Sequence, residues 1–189
     1  VGFHASNALS YVGIDPNTKL HPAYQQIDTY CGTGKTTSFI CSPAEEVDLS
    51  EHSFDFVFTS PPYFCIERYS EEETQSWKRY RTAESWLEGF LFPTLTECWG
   101  VLSEGGRIAV NISDAYVDSK SGTVSICAPM LSHMEKLGAK YEGVIGYQLT
   151  SRMGANMKNV GETFCEPIFI WSKGEALDPK WSRDNFFGV

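Results

Sequence analysis

The sequence has no run of about 18 apolar residues, the length a helix needs to cross a bilayer. A soluble cytoplasmic protein is therefore the expectation. It has no Cys-x-x-Cys pair: Cys31, Cys41, Cys65, Cys98, Cys127 and Cys165 are scattered, and His4, His21, His52 and His133 share no metal-ligand spacing. Reduced thiols and no metal are expected. Positive charge is scarce, with 15 basic residues against 24 acidic and a net charge of −9. Nucleic-acid binding rests on phosphate neutralisation, so the overall field argues against such a partner and only a local basic strip could hold one. Internal repeats and low-complexity segments are lacking as well. What is present is 189 residues, 42% of them apolar, enough for one domain with a sizeable core and too few for two large ones.

The strongest local signal is Phe54 to Phe64. Apolar and aromatic residues broken only by Asp55 read as a buried strand, which stops at Ser60-Pro61-Pro62-Tyr63. Two prolines fix two φ angles and remove two donors, leaving carbonyls near Ser60 and Pro61 free to accept hydrogen bonds from a planar amine. Upstream, Tyr11 to Asp15 reads as a short strand ending in an acid before Pro16. Lys19 to Lys35 is polar, with a helical turn near Pro22 to Gln25. Gly32-Thr33-Gly34-Lys35-Thr36 invites a phosphate-loop reading. The glycine such a loop requires is Thr29 here, and Ser38 to Cys41 reads as a strand where a helix is needed, so a plain glycine-containing loop is expected.

Downstream, Trp77-Lys78-Arg79-Tyr80-Arg81 interleaves bases with aromatics. Such a strip can hold phosphate and stack a base, or form a solvated lid whose acids at Glu71 to Glu73 pair with its own bases. Leu87, Leu91, Leu95, Cys98 and Leu102 recur at helical steps, with a kink expected at Pro93 and a stop at Gly105-Gly106. Arg107 to Asp114 reads as the next strand, from which Asn111 and Asp114 line a pocket or cap a turn. After a loop at Lys120 to Thr123, Ile126, Met130, Met134 and Leu137 mark a second helix, with Pro129 in its first turn and Gly138 ending it. The Met stripe reads as core packing. Strands at Gly143 to Thr150 and Ile168 to Ser172 follow, joined by a loop carrying Arg152, Asn156 and Lys158, with a loose tail after Lys173.

Thr59-Ser60-Pro61-Pro62-Tyr63 resembles the catalytic motif of the S-adenosylmethionine-dependent amino-methyltransferases: Asp, Asn or Ser, then Pro-Pro, then Tyr or Phe. The Ser form is most similar to the DNA N4-cytosine enzymes; Asp and Asn forms are commoner in N6-adenine enzymes. Tyr11 to Asn17 resembles the family's second strand, whose terminal acid meets the cofactor ribose. Phe164 to Trp171 resembles the last strand of the DNA methyltransferases. The resemblance runs from Tyr11 to Lys173. It implies an α/β fold: a three-layer Rossmann-like methyltransferase sheet, mostly parallel, with an antiparallel strand near the C-terminus. The family's first strand and Gly-rich loop are expected upstream of Val1, so that residues 1–175 form one N-terminally incomplete catalytic domain and 176–189 a tail.

The resemblance also implies roles. Ser60, Pro61, Pro62 and Tyr63 are catalytic; Asp15, Ser42, Glu45 and Thr59 bind S-adenosylmethionine; Trp77, Lys78, Arg79 and Arg81 bind the substrate. Ser42 stands where the family usually has Asp. DNA is the implied partner, with sequence specificity carried upstream, in a separate segment or subunit, or in the Trp77 to Arg81 lid. The implied activity is methyl transfer to an exocyclic amine of a DNA base, cytosine N4 first. The alternatives are an RNA or protein amino-methyltransferase and a non-catalytic module on the same fold.

Overall fold

The computed structural model describes residues 2–120, 122–149 and 164–175. The chain divides into two compact units, Val1–Asp48 with Phe64–Thr94 and Leu49–Tyr63 with Leu95–Val189.

In the first unit a short helix α1 (Gly2–Ala5) precedes β1 (Ser10–Ile14). β1 pairs in parallel with β2 (Thr36–Ile40) after a crossover through α2 (His21–Cys31). The sequence suggested only one helical turn here. Pro22 lies in the first turn of α2, where its missing N–H costs nothing, and Gly32 ends the helix at φ +53 by donating to the Asp28 carbonyl. Lys35 is spent on the end of α1: its Nζ donates to the carbonyls of Phe3 (3.1 Å), His4 (3.3 Å) and Ser6. A strand follows it, so the Gly32 to Lys35 segment is the plain loop expected, placing a cation on helix C-terminal carbonyls.

After a four-residue α3 (Ser76–Arg79), Thr82 and Ser85 cap α4 (Ala83–Trp86) reciprocally. A π-helical turn, Leu87–Leu91, leads into α5 (Phe92–Gly100). The kink expected at Pro93 takes this form. Pro93 has no N–H for the Gly89 carbonyl, and the preceding N–H, of Phe92, reaches back five residues to Leu87. Trp86 and Leu91 are fully buried, and the Trp86 ring meets Phe64 at 6.2 Å and Phe90 at 5.3 Å. Burial of each such side chain stabilises by roughly 1.5–3 kcal/mol.

In the second unit β3 (Phe54–Thr59) pairs in parallel with β4 (Leu102–Asn111), and β8 (Phe164–Ser172) lies antiparallel between β4 and β7 (Lys140–Leu149). The order is β3-β4-β8-β7. Ile108, Val110, Ile112, Ile126, Met130, Met134 and Trp171 form the core, with both methionines fully buried on α6 (Cys127–Lys136) as the Met stripe suggested. The mixed α/β class, mostly parallel with an antiparallel strand near the C-terminus, is as expected.

Three local readings change. β3 is not buried: Phe56 and Phe58 are 54% and 59% exposed, because β3 has one strand partner, β4, among the described residues. Gly105-Gly106 does not stop the helix, which ends at Gly100; the pair lies inside β4, where the register against β3 shifts and Gly105 takes φ +81. In the expected loop at Lys120 to Thr123, Gly122 and Thr123 instead belong to a strand, β6 (Gly122–Val124), which pairs antiparallel with β5 (Ala115–Asp118). The loop bearing Arg152, Asn156 and Lys158, and the tail, lie outside the described residues. Among the described residues no helix is long and apolar enough to cross a membrane, and no group of His, Cys, Asp or Glu could hold a metal ion.

Candidate active site

In the second unit, parallel pairing carries Thr59 opposite Val110, so the Ser60 to Tyr63 turn emerges beside the end of β4. Ser60 is exposed, Pro61 is buried, and Pro62 and Tyr63 are half-buried. The next residue, Phe64, has φ 51, a left-handed conformation that few non-glycine residues adopt. Its ring is buried, which holds the chain in that strained state just past the motif.

Asn111, last in β4, organises the turn. Its Nδ2 donates to the Pro167 carbonyl at 3.2 Å, a carbonyl that also accepts from the Ile112 N–H at 3.3 Å. A carbonyl can only accept, so the amide is fixed with Oδ1 toward Ser60, whose hydroxyl donates to it at 3.3 Å. The Ser60 hydrogen is thereby committed inward. Both lone pairs of its oxygen stay available to an incoming donor. Asp114 does not join this group: its Oδ1 accepts the Ile126 and Cys127 N–H groups, each at 2.8 Å, at the start of α6. Burial pushes the Asp114 carboxyl up, but those two donors outweigh it and hold it below the usual range.

In the first unit, Asp15 follows β1 and is held on both oxygens. Oδ1 accepts the Asn17 N–H at 2.7 Å and Oδ2 the Tyr24 hydroxyl at 2.6 Å. Each oxygen keeps one lone pair free. Burial, then the Asp15 carboxylate, pushes the Tyr24 hydroxyl well above its ordinary pKa, so it stays a donor. Ser42 directs its hydroxyl hydrogen to the Pro43 carbonyl at 3.3 Å, leaving its oxygen an acceptor.

Glu45 is placed differently from Ser42. Its side chain is only 4% exposed, and it accepts from Arg79 Nη1 at 2.9 Å and the Tyr80 hydroxyl at 3.2 Å, while Arg79 Nη2 meets Glu46. Burial still pushes the Glu45 carboxyl above its usual range, against the pull of Arg79 and Tyr80. Lys78 Nζ pairs with Glu73 at 3.0 Å and Glu71 at 3.4 Å. Glu72 accepts from the Thr18 N–H at 3.2 Å and from its hydroxyl, and Thr74 donates to the Pro16 carbonyl at 3.4 Å. The segment bearing Trp77 to Arg81 is thus fastened at one end to the Asp15 turn and at the other to the segment after β2.

The sequence profile of the DNA methylase family, N6 and N4 type, matches residues 54–185. The chain belongs to this family. No curated protein matches the sequence. Among solved structures, TTHA0409 from Thermus thermophilus, provisionally assigned as a DNA modification methylase and solved with S-adenosyl-L-methionine, is 21% identical with a TM-score of 0.50. The alignment covers 76% of this chain and 59% of that one, so the chain spans about three-fifths of that protein's length. A SAM-dependent methyltransferase from Methanosarcina mazei is 12% identical with a TM-score of 0.54, over 88% of this chain and 83% of that one. The 4+2 cyclase SpnF is 11% identical with a TM-score of 0.57, over 92% and 70%. At such identities the likeness establishes the Rossmann-like fold alone, and the cyclase illustrates how one fold hosts different chemistry.

Several of the partners that hold the candidate residues within each unit lie far from them in sequence. The Asn111–Pro167 bond joins positions 56 apart, and the Arg79 partners Glu45 and Glu46 lie 34 and 33 residues away. Tyr24 and Tyr80 gave no sequence signal beyond being aromatic. Asn111 reads from sequence as lining a pocket or capping a turn, but its bonds to Pro167 and Ser60 have no local signal.

Proposed function

We propose that this chain transfers a methyl group from S-adenosylmethionine to an exocyclic amine of a DNA base, cytosine N4 first. The observation that carries this reading is the fixed Ser60–Asn111–Pro167 relay. An exocyclic base amine is a poor nucleophile because its lone pair is delocalised into the ring. Catalysis must favour the pyramidal form, which two acceptors facing the two amine hydrogens achieve. Ser60 Oγ, with its own hydrogen turned to Asn111, is one such acceptor, and the Pro61 carbonyl is the other. These contacts strengthen as positive charge develops on the nitrogen, so they favour the transition state over the bound substrate. Tyr63 stacks on the base, which must leave a duplex to reach the turn. A serine hydroxyl is a weak base, so the amine proton departs late, to water.

S-adenosylmethionine, when bound, supplies a methyl group on an electrophilic sulfonium. The residues of the first unit fit it. Asp15, pre-oriented by Asn17 and Tyr24, keeps one lone pair on each oxygen for the two ribose hydroxyls. Ser42 offers a neutral acceptor for the adenine amine. Glu45 supports from behind, since Arg79 and Tyr80 already hold it. The Ser form of the motif favours cytosine N4 over adenine N6.

Calorimetric titration of S-adenosylmethionine tests the cofactor assignment. Binding by the wild type that is lost in Asp15→Ala is expected. Equal affinity in the two proteins would remove Asp15 from the cofactor site.

A further inference from the structure

Three cations gather on one indole. The guanidinium of Arg68 lies 4.8 Å from the Trp77 ring centroid, Lys78 Nζ 5.6 Å and the guanidinium of Arg81 5.9 Å. The ring is fixed by its own N–H, which donates to the Ser70 carbonyl at 3.2 Å. A cation over an aromatic face is attracted to it, and like charges gathered on one ring repel unless anions compensate them. Lys78 is compensated by Glu71 and Glu73, and its neighbour Arg79 by Glu45 and Glu46. Arg68 and Arg81 form no ion pair among the described residues. Arg68 donates only its Nε, to the Cys65 carbonyl at 3.2 Å, which leaves its terminal nitrogens free. Both arginines are exposed. In a chain with 24 acidic residues, two guanidiniums on one ring, neither with a carboxylate among the described residues, mark a place prepared for an external anion.

We propose that Arg68 and Arg81, held on Trp77, clamp backbone phosphates of DNA. The proposal rests on the DNA-methylation reading above and deepens it in two ways. It moves phosphate contact from Lys78 and Arg79, which are tied within the fold, to Arg68. It also makes Trp77 a support for guanidiniums rather than a stacking surface for a base, because cations cover the ring and its N–H is spent. Guanidinium forks match phosphate oxygens in pairs, which suits two neighbouring phosphates better than one small anion. The net charge of −9 repels DNA elsewhere, so association depends on such a local site.

Fluorescence anisotropy with a labelled cytosine-containing oligonucleotide, single-stranded and duplex, over a range of salt concentrations tests the clamp. The wild type is compared with Arg68→Gln/Arg81→Gln and with Lys136→Gln on α6 as a control. Loss of two phosphate contacts lowers the slope of log affinity against log salt by about 1.8 on duplex DNA. Affinity at low salt falls at least tenfold in the double variant, and the control behaves as the wild type. An unchanged slope in the double variant, or no salt-dependent binding by the wild type, overturns the clamp. If the double variant instead loses affinity for S-adenosylmethionine at an unchanged DNA slope, the anion is the cofactor carboxylate and the proposal is wrong. The two readings fail separately. A reduced slope with no methyl reaching DNA in the wild type sinks methylation and leaves the clamp, whereas methylated DNA with an unchanged slope does the reverse.

Discussion

Replacing Asn111 with Ala removes the group that fixes the Ser60 hydroxyl while leaving Ser60 itself in place. Two losses follow. The hydroxyl forfeits a neutral hydrogen bond worth about 1 kcal/mol. It also becomes a rotor with about three staggered positions, only one of which points its hydrogen where Asn111 now holds it, a cost of about 0.6 kcal/mol. Together these lower the methyl-transfer rate about 10- to 20-fold. Ser60→Ala, which deletes the acceptor, costs about 100- to 1000-fold by comparison with loss of an oriented charge-stabilising group. The effects are coupled: with Ser60 already Ala, removing Asn111 changes the rate little further. The assay is single-turnover transfer of labelled methyl to DNA by the four proteins of this double-mutant cycle. Thermal melting runs alongside, because the Pro167 carbonyl retains the Ile112 N–H and the fold loses only about 1 kcal/mol. An Asn111→Ala rate within twofold of wild type, or a double variant tenfold slower than Ser60→Ala, would refute the relay.

Tyr63→Ala lowers kcat/KM for DNA about ten- to hundredfold, the value of one base stacked on an aromatic ring, and a competition assay with unmethylated DNA detects it. Gly89→Ala destabilises by roughly 1–3 kcal/mol despite alanine's better helix propensity, because its Cβ would overlap the Tyr80 ring, 2.7 Å from Cδ1 and closer still to Cε1. A higher melting temperature in that variant would show that the Tyr80–Glu45 fastening does not constrain the helix. Asp114→Asn costs about 1 kcal/mol at pH 7 by weakening the support of α6. The folded-state pKa of Asp114 is depressed, so its contribution is fully present above the unfolded value of about 3.9 and is lost as pH falls through the lower folded value. In denaturant titrations of both proteins the gap between them should narrow as pH falls from 7 into the acid range; a constant gap would contradict the assignment.

The elements that sequence reasoning recovered are those whose signals are local. An apolar run halted by Ser60-Pro61-Pro62, an acid ending β1 before Pro16, and methionines at helical steps in α6 each declare themselves within a few residues. What escaped depends on distant partners. Arg79 reads as a phosphate contact or a partner of Glu71 to Glu73 until Glu45 and Glu46 are brought to it, and Asn111 reads as a pocket or turn-capping residue until β8 supplies the Pro167 carbonyl. β3 reads as buried because Phe54, Phe56 and Phe58 are apolar, but burial depends on how many neighbours a strand has, which composition does not record. The π turn before Pro93 was legible as a kink but not as a widened turn, since proline dictates only which hydrogen bond is lost.

The central claim, methyl transfer to an exocyclic amine of DNA through the Ser60 turn, is tested most directly by incubating the protein with unmethylated duplex DNA and S-adenosylmethionine labelled in its methyl group. The DNA is then digested and the nucleosides separated. Label in N4-methyldeoxycytidine for the wild type, and its near absence for Ser60→Ala, is the expected result. No label in the DNA, or DNA labelled equally by wild type and Ser60→Ala, would contradict the account.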